Sequence, residues 1–461
     1  MIARLLMSAE GNKDRRGQTS NQAVQNFSRL LNGLAAVAIT LTRRTTVCYA
    51  SSVVTTSHNQ RMNISDYIHE FLKQTTISLS QDDGPHIDLP HPYVCASSGI
   101  FNRDQYYWDS YFILLGLLQL GEISLAKGMV DNLVSLYQRF AIIPSRNRWS
   151  SLGMSQAPYL TSMIAEVYQK TRDTTWLQAS AEIAERERKN YWMDTKRAER
   201  HLVYKGLSRY ADHHLFHITA EDESGWDRTS RFFDHCLDYL PIDLNVCLYK
   251  YETDLAAFYH DLSQEKKAQF YREQAQKRKH MINELMWQED QGFFFDYNYK
   301  KKQPSPFYSL AGFYPLWAKM ANQKQAEQLR RNLSFFEYDG GLVTTQKKDV
   351  RKPQRQWDYP NGWANLHWIV IQGLVNYGYN KDATRIASKW LHLNEQVFAA
   401  TGKLWEKYDV VRCTIGKSGH YKTQPGFGWT NMLYIKLQNT LSTLSQEETL
   451  PNSHTGENNS E

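Results

Sequence analysis

The stretch from Asp222 to Phe233 reads Asp-Glu-Ser-Gly-Trp-Asp-Arg-Thr-Ser-Arg-Phe-Phe, and it gathers acid–base groups around an aromatic ring. Glu223 and Asp227 flank Ser224, Gly225 and Trp226, and Arg228 and Arg231 follow closely. Glycine lowers helix propensity and neighbouring acids repel one another, so the stretch is expected as a loop over a polar cleft. Trp226 would be ready to stack there, with Asp227 presented beside it. An acid next to Trp recurs at Trp108-Asp109, Trp357-Asp358 and Trp405-Glu406. Indole faces suit the C–H faces of a sugar, and carboxylate oxygens accept from its hydroxyls. Cleaving a glycosidic bond needs a proton delivered to the leaving oxygen and either activated water or a carboxylate nucleophile at the anomeric carbon. Asp227 and Glu406, each in a Trp-flanked loop, are the pair this chain offers. Asp109, Glu223, Asp358 and Asp409 are rivals on residue type. A lone Trp-Asp pair is more often a surface acid or a helix cap, whereas recurrence in one chain favours a saccharide site.

These residues need a large scaffold, and 461 residues supply one big helical domain or two ordinary ones. A charged fraction of 22% with 41% hydrophobic residues places the chain among soluble globular proteins. A large core would use some of its 13 Trp and 28 Tyr, but the placement of others in Gly/Asp-rich segments favours a cleft lining. The net charge of +6 is small and dispersed, and no nucleic-acid recognition motif accompanies it, so no nucleic-acid partner is expected. Cys48, Cys95, Cys236, Cys247 and Cys413 form neither a disulfide framework nor a Cys-x-x-Cys pair, which favours a reducing compartment. His213, His214 and His217 lack the His-Glu-x-x-His spacing of a metal site. Residues 1–61 hold one apolar run, Leu31 to Leu41, short of the ~20 residues that span a membrane. Arg43-Arg44 follow it without a clean cleavage site. This segment is therefore expected as a poorly ordered extension of a monomeric, cytoplasmic protein, with export the alternative and no stable membrane insertion.

From Met62 the chain becomes periodic. Ile64, Tyr67, Ile68 and Phe71 mark a first helix. Trp108 to Leu118 marks another, stopped by Gly121, and Leu125 to Leu136 a third. Pro158 sits in an early turn before Leu160 to Tyr168. Helical spacing returns at 174–202, 243–259, 263–287, 307–321, 326–333, 363–378 and 381–398. Between these runs lie short Gly-aromatic-acid segments, with Gly292 to Tyr297 and Gly402 to Asp409 sharing an order that amounts to a weak internal repeat. Paired helices whose polar loops return to one place predict an all-α toroid of helical hairpins over 62–444, with short β-hairpins in the site loops. No buried Val/Ile strands alternate with helices as a βαβ fold requires. Residues 445–461 are rich in Ser, Thr, Glu and Asn and are expected to be disordered.

The run Gln356 to Ala364, Gln-Trp-Asp-Tyr-Pro-Asn-Gly-Trp-Ala, resembles a signature of the inverting trehalases of glycoside hydrolase family 37. Tyr106 to Phe112 resembles the second half of the family's other signature. Glu223 to Asp227, Asp243-Leu244-Asn245, Glu406 to Val410 and Gly426 to Asn431 follow in family order. The resemblance implies an (α/α)6 barrel, hydrolysis with inversion, no metal and no cofactor. It makes Asp227 the general acid and Glu406 the general base. Trp108, Asp109, Asn147, Gln156 and Trp357 would line the pocket of the glucose that is cleaved, with Tyr106 beside them. Arg209-Tyr210 fits the family's Arg-Tyr. The implied substrate is a small saccharide, α,α-trehalose, hydrolysed to two glucose molecules. The chain departs from the family where Ser97 to Asn102 replaces a Pro-Gly-Gly-Arg-Phe run, with Arg103 the nearest substitute for its arginine. Met154 replaces a second sugar-binding arginine, the loop before Glu223 is shortened, and His420 stands where the family has Glu. These losses admit two further readings, an inverting hydrolase of another α-glucoside and a non-catalytic sugar-binding relic.

Overall fold

The computed structural model describes residues 62–347, 355–417, 419 and 421–449. The expected extension over 1–61, the apolar run Leu31 to Leu41, His420 and the end of the chain after 449 lie outside these residues. Helices dominate: α1 (Ile64–Thr75), α2 (Tyr107–Gln119), α3 (Ile123–Phe140), α4 (Leu160–Thr171), α5 (Thr174–Glu187), α6 (His217–Glu223), α7 (Ile242–Asp261), α8 (Glu265–Met286), α9 (Tyr314–Trp317), α10 (Gln323–Arg331), α11 (Ala364–Asn376), α12 (Asn380–Thr401) and α13 (Gly428–Thr449).

Two kinds of helix follow from two kinds of sequence. In α2 and α11 nearly every side chain is buried, as expected of helices that are apolar nearly all round, and α7 buries most of its side chains although it carries Asp243, Glu252 and Asp254. These belong to an inner ring in which α2, α4, α7, α9, α11 and α13 pack in succession, and α13 returns against α2 to close it. The more polar α3, α5, α8 and α12 bury one stripe each and pack against inner neighbours. This is the toroid of helical hairpins expected from the paired periodic runs, and the (α/α)6 barrel that the family resemblance implies. No helix among the described residues is long and apolar enough to cross a membrane.

Loops that enter the N-terminal ends of the inner helices carry the short strands. One three-stranded antiparallel sheet matters for the site: β1 (Asn361–Trp363), β2 (Lys407–Asp409) and β3 (Thr414–Ile415), in that order. Its register sets Trp363 opposite Lys407 and Asn361 opposite Asp409, so two distant segments of the chain meet side by side.

Three expected elements differ, and one boundary moves. The run 174–202 is helical only to Glu187; a π turn at Arg188–Trp192 and a strand at Leu202–Tyr204 replace the rest. The run 307–321 contributes a 3-10 turn at Leu310–Phe313 and only the short α9, because its apolar residues fill the ring as a turn rather than as a long rod. The stretch containing Glu223 is not pure loop, since α6 runs to Glu223. Helix α13 also continues to Thr449, past the boundary expected at 444.

Candidate active site

A cavity of about 490 Å³ opens where the loops leading into α2, α4, α7, α11 and α13 converge. Tyr106, Trp108 and Asp109 line it from the start of α2, and Met154 and Gln156 from the loop before α4. Asp222, Gly225, Asp227 and Arg228 come from the end of α6 and the segment after it, Trp357 and Trp363 from the one before α11. Glu406, Tyr421, Phe427 and Trp429 complete it around the start of α13. Trp357 and Trp363 stack face to face at 3.8 Å and 2°, and Trp429 meets Trp363 edge-on at 5.8 Å. These rings give a rigid apolar wall interrupted by a few carboxyl groups, the composition a sugar ring fits.

Asp227 is fixed from behind. Its Oδ2 accepts from Gln356 Nε2 at 2.7 Å and its Oδ1 from the Trp357 indole at 3.1 Å. Gln356 also holds the Asp227 backbone carbonyl at 3.1 Å. Burial pushes the Asp227 carboxyl up to about 7; the charges of Asp222 and Glu406 add to this, while the Trp357 bond and Arg228 oppose it. The loop itself is held by Arg231, whose buried guanidinium binds Asp243 at 2.7 and 2.9 Å and Asp296 at 2.6 and 2.7 Å. Glu221 adds a second tie, accepting from the Arg228 and Thr229 N–H groups at 2.7 and 3.0 Å.

Glu406 is almost wholly buried at the edge of β2. Its Oε2 accepts from Lys407 Nζ at 2.8 Å and from the Gln424 N–H at 3.2 Å, and its Oε1 accepts from the Tyr421 hydroxyl. Lys407 reaches Gln356 Oε1 at 3.5 Å, so one polar chain runs behind the cavity from Glu406 to Asp227. Asp109 is the third carboxyl in the wall. Burial holds it well above the usual carboxylate range, and Glu406 and Asp227 push the same way. A carboxyl accepts from a sugar hydroxyl through its oxygens and, when protonated, can also donate to one.

Of the residues singled out in the sequence, Asp227, Glu406, Trp108, Asp109, Gln156, Trp357 and Tyr106 share this cavity. Gln156 Oε1 accepts from the Trp108 N–H at 3.3 Å, and Tyr106 Oη from Arg146 at 2.6 Å. Three others do not line it. Asn147 accepts from the Gln105 N–H at 2.9 Å and donates to Ile87 O at 3.1 Å, so its amide braces the loop before α2. Arg209 is buried with its guanidinium on the carbonyls of Glu199, Arg200 and Leu237 and on the Tyr299 hydroxyl. Arg103 is half-exposed and paired with Asp83. Arg103, the expected substitute for the family's arginine, is thus outside the cavity, whereas Arg146 and Arg228 line it.

The rival acids also separate. Glu223 is fully buried among Ala211 N–H, His201 and Tyr191, and Asp358 accepts from Ser230 N–H at 2.8 Å. Asp409 caps the turn through the Val411 and Arg412 N–H groups. Trp226, expected to be ready to stack on a ligand, is buried beneath Arg231 at 4.7 Å and beside Trp357. Lys407 and Tyr421 escaped the sequence reading. The only signal for them was their neighbourhood, the first beside Glu406 and the second before the Gly426 motif. Away from the cavity, His217, His235 and Asp238 are the one group of three or more His/Cys/Asp/Glu residues among the described residues whose ligand atoms all lie within 4.8 Å of one another. His217 Nδ1 is engaged there by the Leu237 N–H.

The profile of the trehalase family matches residues 44–214 and 204–442. A probable trehalase of Saccharomyces cerevisiae is 32% identical over 423 residues, covering 75% of this chain. The periplasmic trehalases of Pseudomonas aeruginosa and Xanthomonas axonopodis pv. citri are 31% and 33% identical, covering 76% and 77% of it. This chain spans about half the length of the yeast relative (54%) and 71% and 69% of the bacterial ones. Among solved structures, the neutral trehalase of S. cerevisiae is similar with a TM-score of 0.69 at 27% identity, over 84% of this chain and 82% of that one. A mannosylglycerate hydrolase of Thermus thermophilus, with a TM-score of 0.64 at 18% identity over 82% and 100% of the two chains, shares the fold. With the family profile matched on both sides of the cavity and relatives above 30% identity across three quarters of its length, this chain belongs to the trehalase family.

Proposed function

We propose that this chain hydrolyses an α-glucoside with inversion, α,α-trehalose foremost, with Asp227 as general acid and Glu406 as general base. The observation that carries the reading is one cavity holding two unlike carboxyls. Asp227 is pushed to about 7 and keeps its proton near neutrality, while Glu406 is bound to an ammonium and two further donors. Asp227 transfers its proton to the glycosidic oxygen as the C–O bond breaks. Glu406 takes a proton from the water that attacks the anomeric carbon on the opposite face. The α-linked glucose leaves as the β-anomer, and the other half of trehalose leaves as α-glucose.

A second reading, another α-glucoside with a smaller or less polar leaving group, is favoured by Met154 in the cavity wall. Each charge-assisted hydrogen bond lost there weakens transition-state binding by about 1.5–3 kcal/mol, roughly 10–100-fold. Arg146 and Arg228, also in the wall, are the groups able to offset it. The test offers the purified protein trehalose beside maltose, sucrose, kojibiose, glucosylglycerol, glucosylglycerate and an aryl α-glucoside, with the first-formed anomer followed by NMR. Release of β-glucose supports inversion, and α-glucose first from the aryl glucoside overturns it. Faster turnover of any other glucoside than of trehalose decides for the second reading, and no turnover of any leaves the sugar-binding relic.

A further inference from the structure

We propose that Lys407 is a positioning residue that locks one oxygen of Glu406 out of the reaction, so that Oε1, steered by Tyr421, is the atom that takes the proton from water. This rests on Glu406 being the base.

Three donors hold the Glu406 carboxylate among the described residues, and they divide unevenly. Oε2 accepts from Lys407 Nζ at 2.8 Å and from the Gln424 N–H at 3.2 Å. A carboxylate oxygen has two lone-pair sites, so this oxygen is saturated. Oε1 accepts only from the Tyr421 hydroxyl and keeps a site open. The division also has a direction. Tyr421 lines the cavity with Glu406, whereas neither Lys407 nor Gln424 does. The open site is therefore on the oxygen held from the cavity side.

Lys407 is well built for a fixed role. It is completely buried on β2, opposite Trp363, with its ammonium 4.8 Å from the Trp363 ring and 5.1 Å from that of Tyr421. Two aromatic faces and a carboxylate leave it little freedom, and a buried lysine is tolerated only when paired in this way. Its remaining contact, Gln356 Oε1, is 3.5 Å away, long for a hydrogen bond, so Glu406 is its chief partner.

The experiment compares Lys407→Met with wild type, alone and on a Glu406→Gln background, with Tyr421→Phe as a second probe that keeps the ring. If Lys407 acts through Glu406, Lys407→Met lowers kcat about 10–100-fold, the scale of a displaced catalytic group, with KM changed less than about threefold. Glu406→Gln alone lowers kcat further. Adding Lys407→Met to it then costs less than about threefold, because the group being positioned is already gone. Tyr421→Phe shows the same pattern of lost kcat, held KM and no added cost on the Glu406→Gln background. Equal losses from Lys407→Met on both backgrounds overturn the proposal, since Lys407 would then act through the fold or through Gln356 and Asp227. Wild-type kcat in folded Lys407→Met overturns it as well. If Lys407→Met does not fold, Tyr421→Phe decides alone: wild-type kcat, or equal losses on both backgrounds, sinks the assignment of Oε1. Near wild-type turnover in Glu406→Gln strikes instead at the assignment of the base.

Discussion

A carboxyl that delivers a proton to a glycosidic oxygen must keep that proton at working pH, and burial in the cavity wall would supply this for Asp227, the acid proposed above. The rate should therefore fall as pH rises through about 7, where Asp227 ionises. Asp227→Asn should lose that alkaline limb together with about 10²–10⁴-fold in kcat, while still binding sugar. Asp222→Asn removes a neighbouring negative charge and should move the limb to lower pH, read from kcat/KM profiles. The same shift has a cost in stability. Between the ordinary value of 3.8 and about 7 the folded state holds a proton that the unfolded chain has lost. The contribution of this group to stability thus declines as pH rises across that window. Thermal melts should show Asp227→Asn gaining on wild type from about pH 4 to about pH 7, and a constant difference would contradict the assignment. The acids beside Trp were legible in sequence because a loop rich in Gly, Trp and Asp has few other uses. Residue type alone did not say which of them face the cavity; the family resemblance pointed to Asp227, Glu406 and Asp109, and these do line it. Asp358 carries the same signature, and Glu223 and Asp409 lie in the same Trp-bearing segments. Asp358 and Glu223 are taken up by backbone N–H groups of other segments and Asp409 by its own turn, and none of the three lines the cavity.

The loop holding Asp227 is an element with almost no regular structure, and its position is set by ties rather than by periodicity. Arg231 reaches the first turn of α7 through Asp243 and the segment after α8 through Asp296. Removing one partner of a buried ion cluster leaves the others unpaired, which costs about 3–5 kcal/mol. Arg231→Met should therefore lower the chemical-denaturation midpoint strongly, though Arg231 does not line the cavity. Gly225 sets the approach of the same loop to α2. It has φ +75°, and a Cβ there would lie 2.6 Å from the Trp108 ring. Gly225→Ala should displace Trp108 or Asp227 and lower kcat/KM by about 10²-fold, the scale of a 1 Å misplacement. Restored activity in a Gly225→Ala/Trp108→Phe double variant would identify that ring as the source. Sequence periodicity located α2, α3, α4, α7 and α8 because each repeats an apolar stripe over many turns. It overran after Glu187 and at 307–321, where apolar spacing continues through a π turn, strands and turns. Over short spans a helix stripe and a buried turn are alike in composition.

At the scale of the whole ring, the site exists only if the first inner helix meets the last. Trp108 and Asp109 open α2, while Trp429 lies in the first turn of α13, so closure brings the two ends of the domain to one cavity. The two helices approach closely enough to exclude a side chain: a Cβ at Gly116 of α2 would lie within 2.6 Å of the Met432 Cα. Nothing local marks Gly116. It sits within a strongly apolar run, where glycine lowers helix propensity, and only the partner helix explains it. Gly116→Ala gains about 1 kcal/mol of intrinsic propensity, against the ~1–3 kcal/mol or more of an overpacked contact with rigid backbone. The steric term wins, so Gly116→Ala should destabilise the protein and lower its melting temperature. Because the wedge separates Trp108 from Trp429, activity should fall even well below the melt, with KM rising as the aromatic wall opens. Circular dichroism and kinetics on the same preparation separate the two effects. A variant as stable and as active as wild type would mean that α2 and α13 part without consequence, and closure of the ring would then not be what holds the site together.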